Sequence, residues 1–256
     1  MSDCGCGKKV SSGHVPFHVP SWLRMNQSTI HQNINKTDIM RKHEVINRII
    51  KEKGYTSYLE IGVDNPDNCF NLIECEKKTG IDPYSTLEMP SEWTLETVEA
   101  YKANVQGELI IKTSDEYFEK LGKRKKYDFI FIDGLHLAEQ VTKDIENSLK
   151  HLTKGGFIML HDCLPNNEKE TTKTPKKNDG WMGTVWEAFA QLRLERDDLT
   201  LMTINTDCGL GCIIPQGKNE KWVDTTYPKP EWSWEYYTTH KHGLMNVVSV
   251  SQFLAL

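Results

Sequence analysis

Two short apolar runs, each ending in acidic or imidazole side chains, constrain the fold of this chain most strongly. The first run covers residues 127–132 and the second covers residues 155–160. Short apolar runs that stop abruptly at polar residues predict buried strands of a parallel sheet. Four side chains that can bind a metal follow the two runs, namely Asp133, His136, His161 and Asp162.

The segment between the two runs has the period of an amphipathic helix. Apolar residues recur every three or four positions, at Leu137, Val141, Ile145, Leu149 and Leu152. A strand, a helix and a second strand form a right-handed crossover with parallel strands. Because ligands bind at the carboxyl edge of such a sheet, we expect the four metal-capable side chains to lie in one crevice.

The composition predicts a soluble α/β protein with one large core. A chain of 256 residues with 38% hydrophobic residues can bury one substantial core. The net charge of −5 gives no general attraction to nucleic acid. The chain has no apolar run of about 18 residues, so no membrane partner is expected. Seven cysteines are an odd number, which favours reduced thiols, and the first residues lack the apolar stretch of a secretory leader. We therefore expect a cytoplasmic protein with a small-molecule substrate.

Changes in composition divide the chain into three parts. Residues 1–37 are polar and predict a partly flexible arm, although its cysteines and histidines could also bind zinc. Residues 38–225 form the expected main domain, with a polar insertion at residues 163–183 that is typical of a lid. Residues 226–256 are rich in aromatic side chains and are expected to pack on the domain or on a second subunit, so a homo-oligomer is the expected assembly.

The first predicted strand, residues 55–61, carries Glu60 and runs into a turn with Gly62 and Asp64. A glycine there lets a ligand approach the backbone, and a predicted helix over residues 68–75 would offer its free amides to that ligand. The chain has neither the repeated glycines of a dinucleotide site nor a phosphate-binding loop, so neither NAD nor a nucleoside triphosphate is supported.

Acidic and hydroxyl groups follow the next two predicted strands. Asp82 comes about twenty residues after Gly62, the spacing at which a carboxylate accepts ribose hydroxyls, and the alternative is a solvated turn acid. Ser114 and Asp115 follow residues 109–111 and could contact an adenine or simply cap a helix. Residues 201–204 and 209–214 predict a closing antiparallel pair of strands.

In order and spacing, these motifs resemble the class I S-adenosylmethionine-dependent methyltransferases, specifically the small-molecule O-methyltransferases related to macrocin O-methyltransferase and the cephalosporin-cluster methyltransferases. The shared motifs are Tyr58–Gly62, Gly80–Pro83, Thr113–Asp115, Phe131–His136, Leu160–Asp162, Gly183–Trp186 and Thr206–Gly211. The resemblance implies an α/β, Rossmann-like, seven-stranded methyltransferase sheet with helices on both faces and a reversed last strand.

The resemblance also implies the ligands of the site. S-adenosylmethionine would contact Glu60, Gly62, Asp64, Asp82, Ser114, Asp115 and Asp133. A divalent metal beside the sulfonium would be bound by Asp133, His161 and Asp162. His161 stands where relatives often have a carboxylate, so manganese or ferrous iron would bind at least as readily as magnesium. The turn after Gly62 also departs from the family, because residues 64–68 replace its glycine-rich loop.

The residue types suggest transfer of a methyl group to oxygen. Asp133 would act with the metal to orient a hydroxyl, and His136 would be the base that takes its proton, unless it is a capping or core histidine. His161 could be a ligand or could orient one. The expected substrate is a sugar hydroxyl, on a nucleotide-linked sugar of surface-polysaccharide or natural-product biosynthesis. A metal-dependent hydrolase and a non-catalytic S-adenosylmethionine-binding protein are the alternatives.

Overall fold

The computed structural model describes residues 39–83, 99, 102–174, 180–215 and 232–256. The predicted arm, residues 84–98 and residues 216–231 lie outside this part of the chain. Eight strands are described: β1 (Ser57–Ile61), β2 (Lys77–Asp82), β3 (Glu108–Ile111), β4 (Tyr127–Ile132), β5 (Leu152–Leu160), β6 (Leu199–Ile204), β7 (Leu210–Pro215) and β8 (Val247–Val248).

The strands form one sheet in the order β3-β2-β1-β4-β5-β7-β6-β8. Strands β1 to β5 pair in parallel, whereas β7 runs antiparallel to both β5 and β6. The predicted Rossmann-like methyltransferase sheet with its reversed strand is therefore confirmed. One detail differs, because the two-residue β8 pairs with β6 and makes eight strands rather than seven.

Six helices flank the sheet in the described part of the chain. They are α1 (Lys42–Lys53), α2 (Ser114–Lys120), α3 (Ala138–Lys150), α4 (Val185–Glu195), α5 (Trp234–Leu244) and α6 (Val250–Leu254). None of these helices is both long and apolar enough to cross a membrane. The apolar face of α1 packs against Phe129, Phe131 and Met159 on one side of the sheet. Helices α3 and α4 cover the other side, where Ile130 and Ile158 face them.

Two local predictions were wrong. Residues 68–75 do not form a helix but two short 3-10 turns, Pro66–Asn68 and Phe70–Leu72, because Phe70 is buried in the core and the chain must bend around it. Leu152 begins β5 instead of ending α3. Trp186 is 2% exposed and packs against Trp232 and Tyr237.

Candidate functional site

The predicted site residues lie along one edge of the sheet, because parallel strands β3, β2, β1, β4 and β5 all end there. In that order the edge carries Asp115, Asp82, Gly62, Asp133 and His161. Neighbouring strands are about 4.8 Å apart, so the groups at the ends of β2 and β4 are separated by about 10 Å. An extended ligand such as a nucleoside joined to an amino acid could lie across this edge.

At the ends of β4 and β5, two carboxylates converge on one imidazole. His136 Nε2 lies 3.4 Å from Asp133 Oδ1, and His136 Nδ1 lies 3.2 Å from Asp162 Oδ2. Asp162 is buried and has a φ of 59°, an unusual conformation for a residue other than glycine. Donor atoms of Asp162, Asp133 and His136 lie within 4.8 Å of one another.

His161 contacts the same two carboxylates. Its Nδ1 atom lies 3.3 Å from Asp133 Oδ1 and 3.1 Å from Asp162 Oδ1. Its ring packs edge-on against Phe131, which fixes the plane of the imidazole. The structure thus brings together the four side chains that the sequence predicted to share a crevice.

A cation from the first helix completes this cluster. Lys42 Nζ lies 2.6 Å from Asp133 Oδ2, and both side chains are largely buried. The Lys42 ammonium also lies 5.7 Å from the centre of the Phe131 ring. Sequence reasoning missed Lys42 because its partner is 91 residues away and no local pattern marks the contact.

The charges in the cluster shift the pKa of each imidazole upward. Burial lowers the pKa of His136, but hydrogen bonding to Asp133 and the charge of Asp162 outweigh burial and raise it overall. The pKa of His161 is raised for the same reason, chiefly by Asp133. Burial opposes ionisation of Asp133, yet His161, His136 and Lys42 hold its pKa well below the usual value.

The segment before α4 packs directly against His136. A side chain at Gly183, whose φ is 58°, would place its Cβ 1.9 Å from the His136 carbonyl oxygen. Thr184 donates its amide to the same oxygen, and its Oγ1 accepts the amide of Ala138 at the start of α3. Trp181 stacks on the His136 ring with the ring centres 5.2 Å apart. The end of the predicted lid therefore positions His136.

The glycine after β1 serves the fold more directly than it serves a ligand. A Cβ at Gly62 would lie 2.1 Å from the Asp133 carbonyl oxygen, so only glycine allows the ends of β1 and β4 to meet. Asp82 then holds the following turn, because its Oδ2 accepts the amides of Val63 at 2.9 Å and Asp64 at 3.0 Å. Asp64 itself is exposed. The described turn contains no helix that could offer free amides to a ligand. The hydrogen bonds from Val63 and Asp64 nevertheless hold the Asp82 carboxylate in place.

Glu60 and the start of α2 occupy the remaining predicted cofactor positions. Glu60 is 1% exposed and accepts a hydrogen bond from the Tyr58 hydroxyl, and burial raises its pKa to about 8. Thr113 caps the N-terminus of α2, so neither Ser114 nor Asp115 is the capping residue. Gln140 donates to Ser114 Oγ at 3.2 Å and to Asp115 Oδ1 at 3.0 Å.

The described residues fit a divalent metal. Donor atoms of Asp133, His136 and Asp162 lie within 4.8 Å of one another. Carboxylate and imidazole donors suit manganese, ferrous iron and magnesium. His161, the third member of the predicted set, has Nδ1 at 3.3 Å from Asp133 Oδ1 and 3.1 Å from Asp162 Oδ1, so the set of Asp133, His161 and Asp162 stays a prediction. The edge also fits S-adenosylmethionine, because a fixed carboxylate at β2 and a helix start at β3 flank Gly62.

Comparisons with known proteins agree with the fold. Residues 53–163 match a family described as a methyltransferase domain. No curated protein sequence matches the chain. A Klebsiella pneumoniae protein provisionally named an O-methyltransferase has 13% identity and a TM-score of 0.50, over 72% of this chain and 84% of that one.

Two further solved structures carry bound cofactor or product in their descriptions. An O-methyltransferase from Bacillus cereus in complex with S-adenosylhomocysteine has 14% identity and a TM-score of 0.47, over 74% of this chain and 85% of that one. TomG from Streptomyces achromogenes, in complex with S-adenosylmethionine, has 13% identity and a TM-score of 0.48, over 69% and 80%.

The sheet order, the residues at its carboxyl edge and the domain match over residues 53–163 all agree. Residues 53–163 of this chain therefore resemble a methyltransferase domain, and the sheet has the fold of solved O-methyltransferases.

Proposed function

We propose that this enzyme methylates a hydroxyl group of a sugar, on a nucleotide-linked sugar of surface-polysaccharide or natural-product biosynthesis, with the help of a divalent metal. One observation carries the proposal: Asp133 and Asp162 converge on His136 at the edge of a methyltransferase sheet. The Klebsiella pneumoniae protein with the same fold supports oxygen as the acceptor atom through its name.

Asp133 and Asp162 would hold the metal. When bound, a divalent cation supplies positive charge that favours loss of a hydroxyl proton and fixes the direction of the hydroxyl. Lys42 occupies Asp133 Oδ2, so Asp133 would present Oδ1, the oxygen that faces both imidazoles. His161 would support this arrangement by donating Nδ1–H to the two carboxylates.

His136 would take the proton of the hydroxyl. In the described structure Asp133 and Asp162 favour the protonated imidazole. If a cation offset their charge, the two carboxylates would no longer favour the protonated ring, and the neutral His136 ring would act as the base. Stacking on Trp181 and the contact with Gly183 hold the ring in one orientation.

The cofactor would bind beside this cluster, where S-adenosylmethionine supplies an electrophilic methyl group. Asp82 would accept the ribose hydroxyls, Ser114 and Asp115 would flank the adenine, and Gly62 and Asp64 would lie below the cofactor. Glu60 would lie buried beneath the methionine part of the cofactor. The ends of β2 and β4 lie about 10 Å apart, which is a suitable span for the ribose and the sulfonium.

The acceptor assignment rests on the shape of the site entrance. Trp181 offers an aromatic face next to His136, and aromatic faces stack on sugars. The described part of the insertion, residues 163–174, is mainly polar and partly exposed from Asn166 onward, and suits a large polar acceptor. A vicinal diol would place one oxygen near His136 while the second is oriented by the two carboxylates.

A methyl-transfer screen tests the proposal. Nucleotide sugars, free sugars and catechols are offered at equal concentration with S-adenosylmethionine, with chelator and then with added magnesium, manganese or ferrous iron. We expect turnover with sugars that requires the metal. Turnover confined to catechols or amines would contradict the sugar assignment, and unchanged turnover in chelator would contradict the metal.

The same experiment separates the two alternatives. A metal-dependent hydrolase would consume substrate without S-adenosylmethionine, and a binding protein would bind the cofactor without turnover of any acceptor. Each outcome is read from product formation and cofactor consumption in the same reaction.

A further inference from the structure

The turn between β6 and β7 brings an acid and a thiol to the far side of His161. Asp207 Oδ1 lies 3.6 Å from His161 Nε2, and donor atoms of His161, Asp207 and Cys208 all lie within 4.8 Å of one another. Asp207, Cys208 and Gly209 have φ values of 43°, 62° and 87°, so three successive residues adopt left-handed conformations. The turn is held in a tight conformation that points its side chains toward β5.

We propose that His161 Nε2, Asp207 and Cys208 form a zinc site separate from the carboxylate site of Asp133 and Asp162. This proposal concerns a second metal and does not depend on the proposed methyl-transfer reaction. Zinc binds imidazole, carboxylate and thiolate together, whereas magnesium selects oxygen ligands.

The strongest support comes from the two nitrogen atoms of His161. Its Nε2 atom is buried and makes no hydrogen bond within the part of the chain that the structure describes. Its Nδ1 atom faces the carboxylates of Asp133 and Asp162 at 3.3 Å and 3.1 Å. A histidine that binds a metal through one nitrogen commonly donates the other N–H to a carboxylate, which fixes the tautomer and the ring. His161 has this arrangement, with Nε2 turned toward the zinc position.

The two other donors are held by the backbone. Asp207 Oδ2 accepts the backbone amide of Lys42 at 2.5 Å, which leaves Oδ1 directed at His161. The amide of Cys163 bonds to Gly209 at 3.0 Å and that of Leu164 to Cys208 at 2.9 Å, so the turn is fastened to the segment after β5. These contacts keep the relative positions of the three donors.

The donor spacing suits a tetrahedral ion after small side-chain rotations. Two such atoms bound to one zinc lie about 3.4 Å apart, close to the 3.6 Å between His161 Nε2 and Asp207 Oδ1. Cys208 is exposed, so its side chain can rotate toward the other donors and solvent can fill the fourth position. Binding would release the thiol proton of Cys208 and the Nε2 proton of His161 to solvent.

Cobalt is the spectroscopic probe for this site, because Co²⁺ replaces zinc and gives a charge-transfer absorption only when a thiolate is bound. The experiment uses the full chain with Cys4→Ser and Cys6→Ser as background, since those thiols could also bind cobalt. We expect the background protein to show the thiolate-to-cobalt absorption at one ion per chain. Absence of this absorption in the background protein would overturn the proposal.

Substitutions then assign the absorption to the turn. Cys208→Ser should abolish it and lower zinc affinity by more than about 100-fold, since even groups that only orient a ligand change affinity by about 10–100-fold. Cys75→Ser is the matched control, because Cys75 is another partly accessible free thiol, and should leave the absorption unchanged. An absorption that survives Cys208→Ser would assign the cobalt to other cysteines and overturn the proposal.

Alkylation of the parent protein tests the site without any substitution. Iodoacetamide should modify Cys208 in the metal-free protein, and zinc should slow that modification at least tenfold without protecting Cys75. Equal alkylation of Cys208 with and without zinc would overturn the proposal even if the Cys208→Ser chain failed to fold. Methyl-transfer activity is not part of either readout, so failure of this site and failure of the proposed reaction are separate results.

Discussion

Lys42 Nζ lies 2.6 Å from Asp133 Oδ2, so the first residue of α1 neutralises an acid at the end of β4. A buried charge pair of this kind stabilises little by itself, but its cation competes with any other cation for the same carboxylate. This ion pair joins α1 to the centre of the site.

Replacing Lys42 should therefore tighten metal binding. We expect Lys42→Met to raise the affinity of the carboxylate site for manganese by about tenfold or more, because about 4 kcal/mol of repulsion is available between unit charges 4 Å apart in a partly buried site. Calorimetric titration measures the change. Lys51→Met, an exposed lysine of the same helix, is the control and should leave the affinity unchanged. Equal affinities in all three proteins would show that Lys42 does not compete with the metal.

Asp162 should be required for metal dependence and dispensable for cofactor binding. We choose Asp162→Asn because asparagine tolerates the φ of 59° while removing the charge. Metal-stimulated activity should be lost, and S-adenosylhomocysteine affinity should change by less than about threefold, within the scatter of distant substitutions. A variant that keeps full metal stimulation would remove Asp162 from the metal site.

Gly183 should be intolerant of any side chain. A Cβ there would meet the His136 carbonyl oxygen at 1.9 Å, so Gly183→Ala should cost roughly 3–5 kcal/mol of unfolding free energy through overpacking and the left-handed φ together. Gly180→Ala is the matched control, because Gly180 has a φ of 61° but nothing within 4 Å of its Cβ. The control should cost only about 1–2 kcal/mol. Equal losses in denaturant unfolding would contradict the close contact with His136.

Glu60 should make stability depend on pH. Its pKa rises from the ordinary 4.5 to about 8 through burial, so the unfolded chain releases a proton that the folded chain retains. Stability is lost as the pH rises through this window, at about 1.4 kcal/mol per pH unit. Glu60→Gln mimics the neutral form. Between about pH 5 and 8 its free energy of unfolding should therefore rise relative to that of the parent protein by about 1.4 kcal/mol per pH unit. A constant difference across this range, as expected for the exposed control Glu74→Gln, would show that Glu60 is already ionised.

The sequence predicted the parts of the fold that depend on local pattern. The apolar runs before Asp133 and His161 have the length of buried strands, and the motif order placed their ends at one edge. The turn after Gly62 was mispredicted because Phe70 is held by the core and not by a helical period.

Contacts between distant segments could not be predicted from pattern. Lys42 and Asp207 reach the site from the first helix and from the β6–β7 turn, and only the folded sheet order brings them to Asp133 and His161. The role of Gly62 also depended on the fold, because its nearest neighbour is the backbone of Asp133.

We expect S-adenosylmethionine to bind across the ends of β1 and β2, beside Asp133 and Asp162. The unfolding temperature with and without S-adenosylhomocysteine tests it most directly, because it needs neither the acceptor nor the metal. At about 100 times the Kd, binding adds about 2.7 kcal/mol, which corresponds to a rise of about 5–10 °C for a chain of this size.

We predict this rise for the parent protein and for Asp197→Ala, an exposed acid away from the predicted cofactor residues. Asp82→Ala should need more than about ten times as much ligand, since two hydrogen bonds to a carboxylate contribute about 1.5–3 kcal/mol each. An unfolding temperature that does not change in the parent protein at any ligand concentration, with or without added metal, would contradict the account.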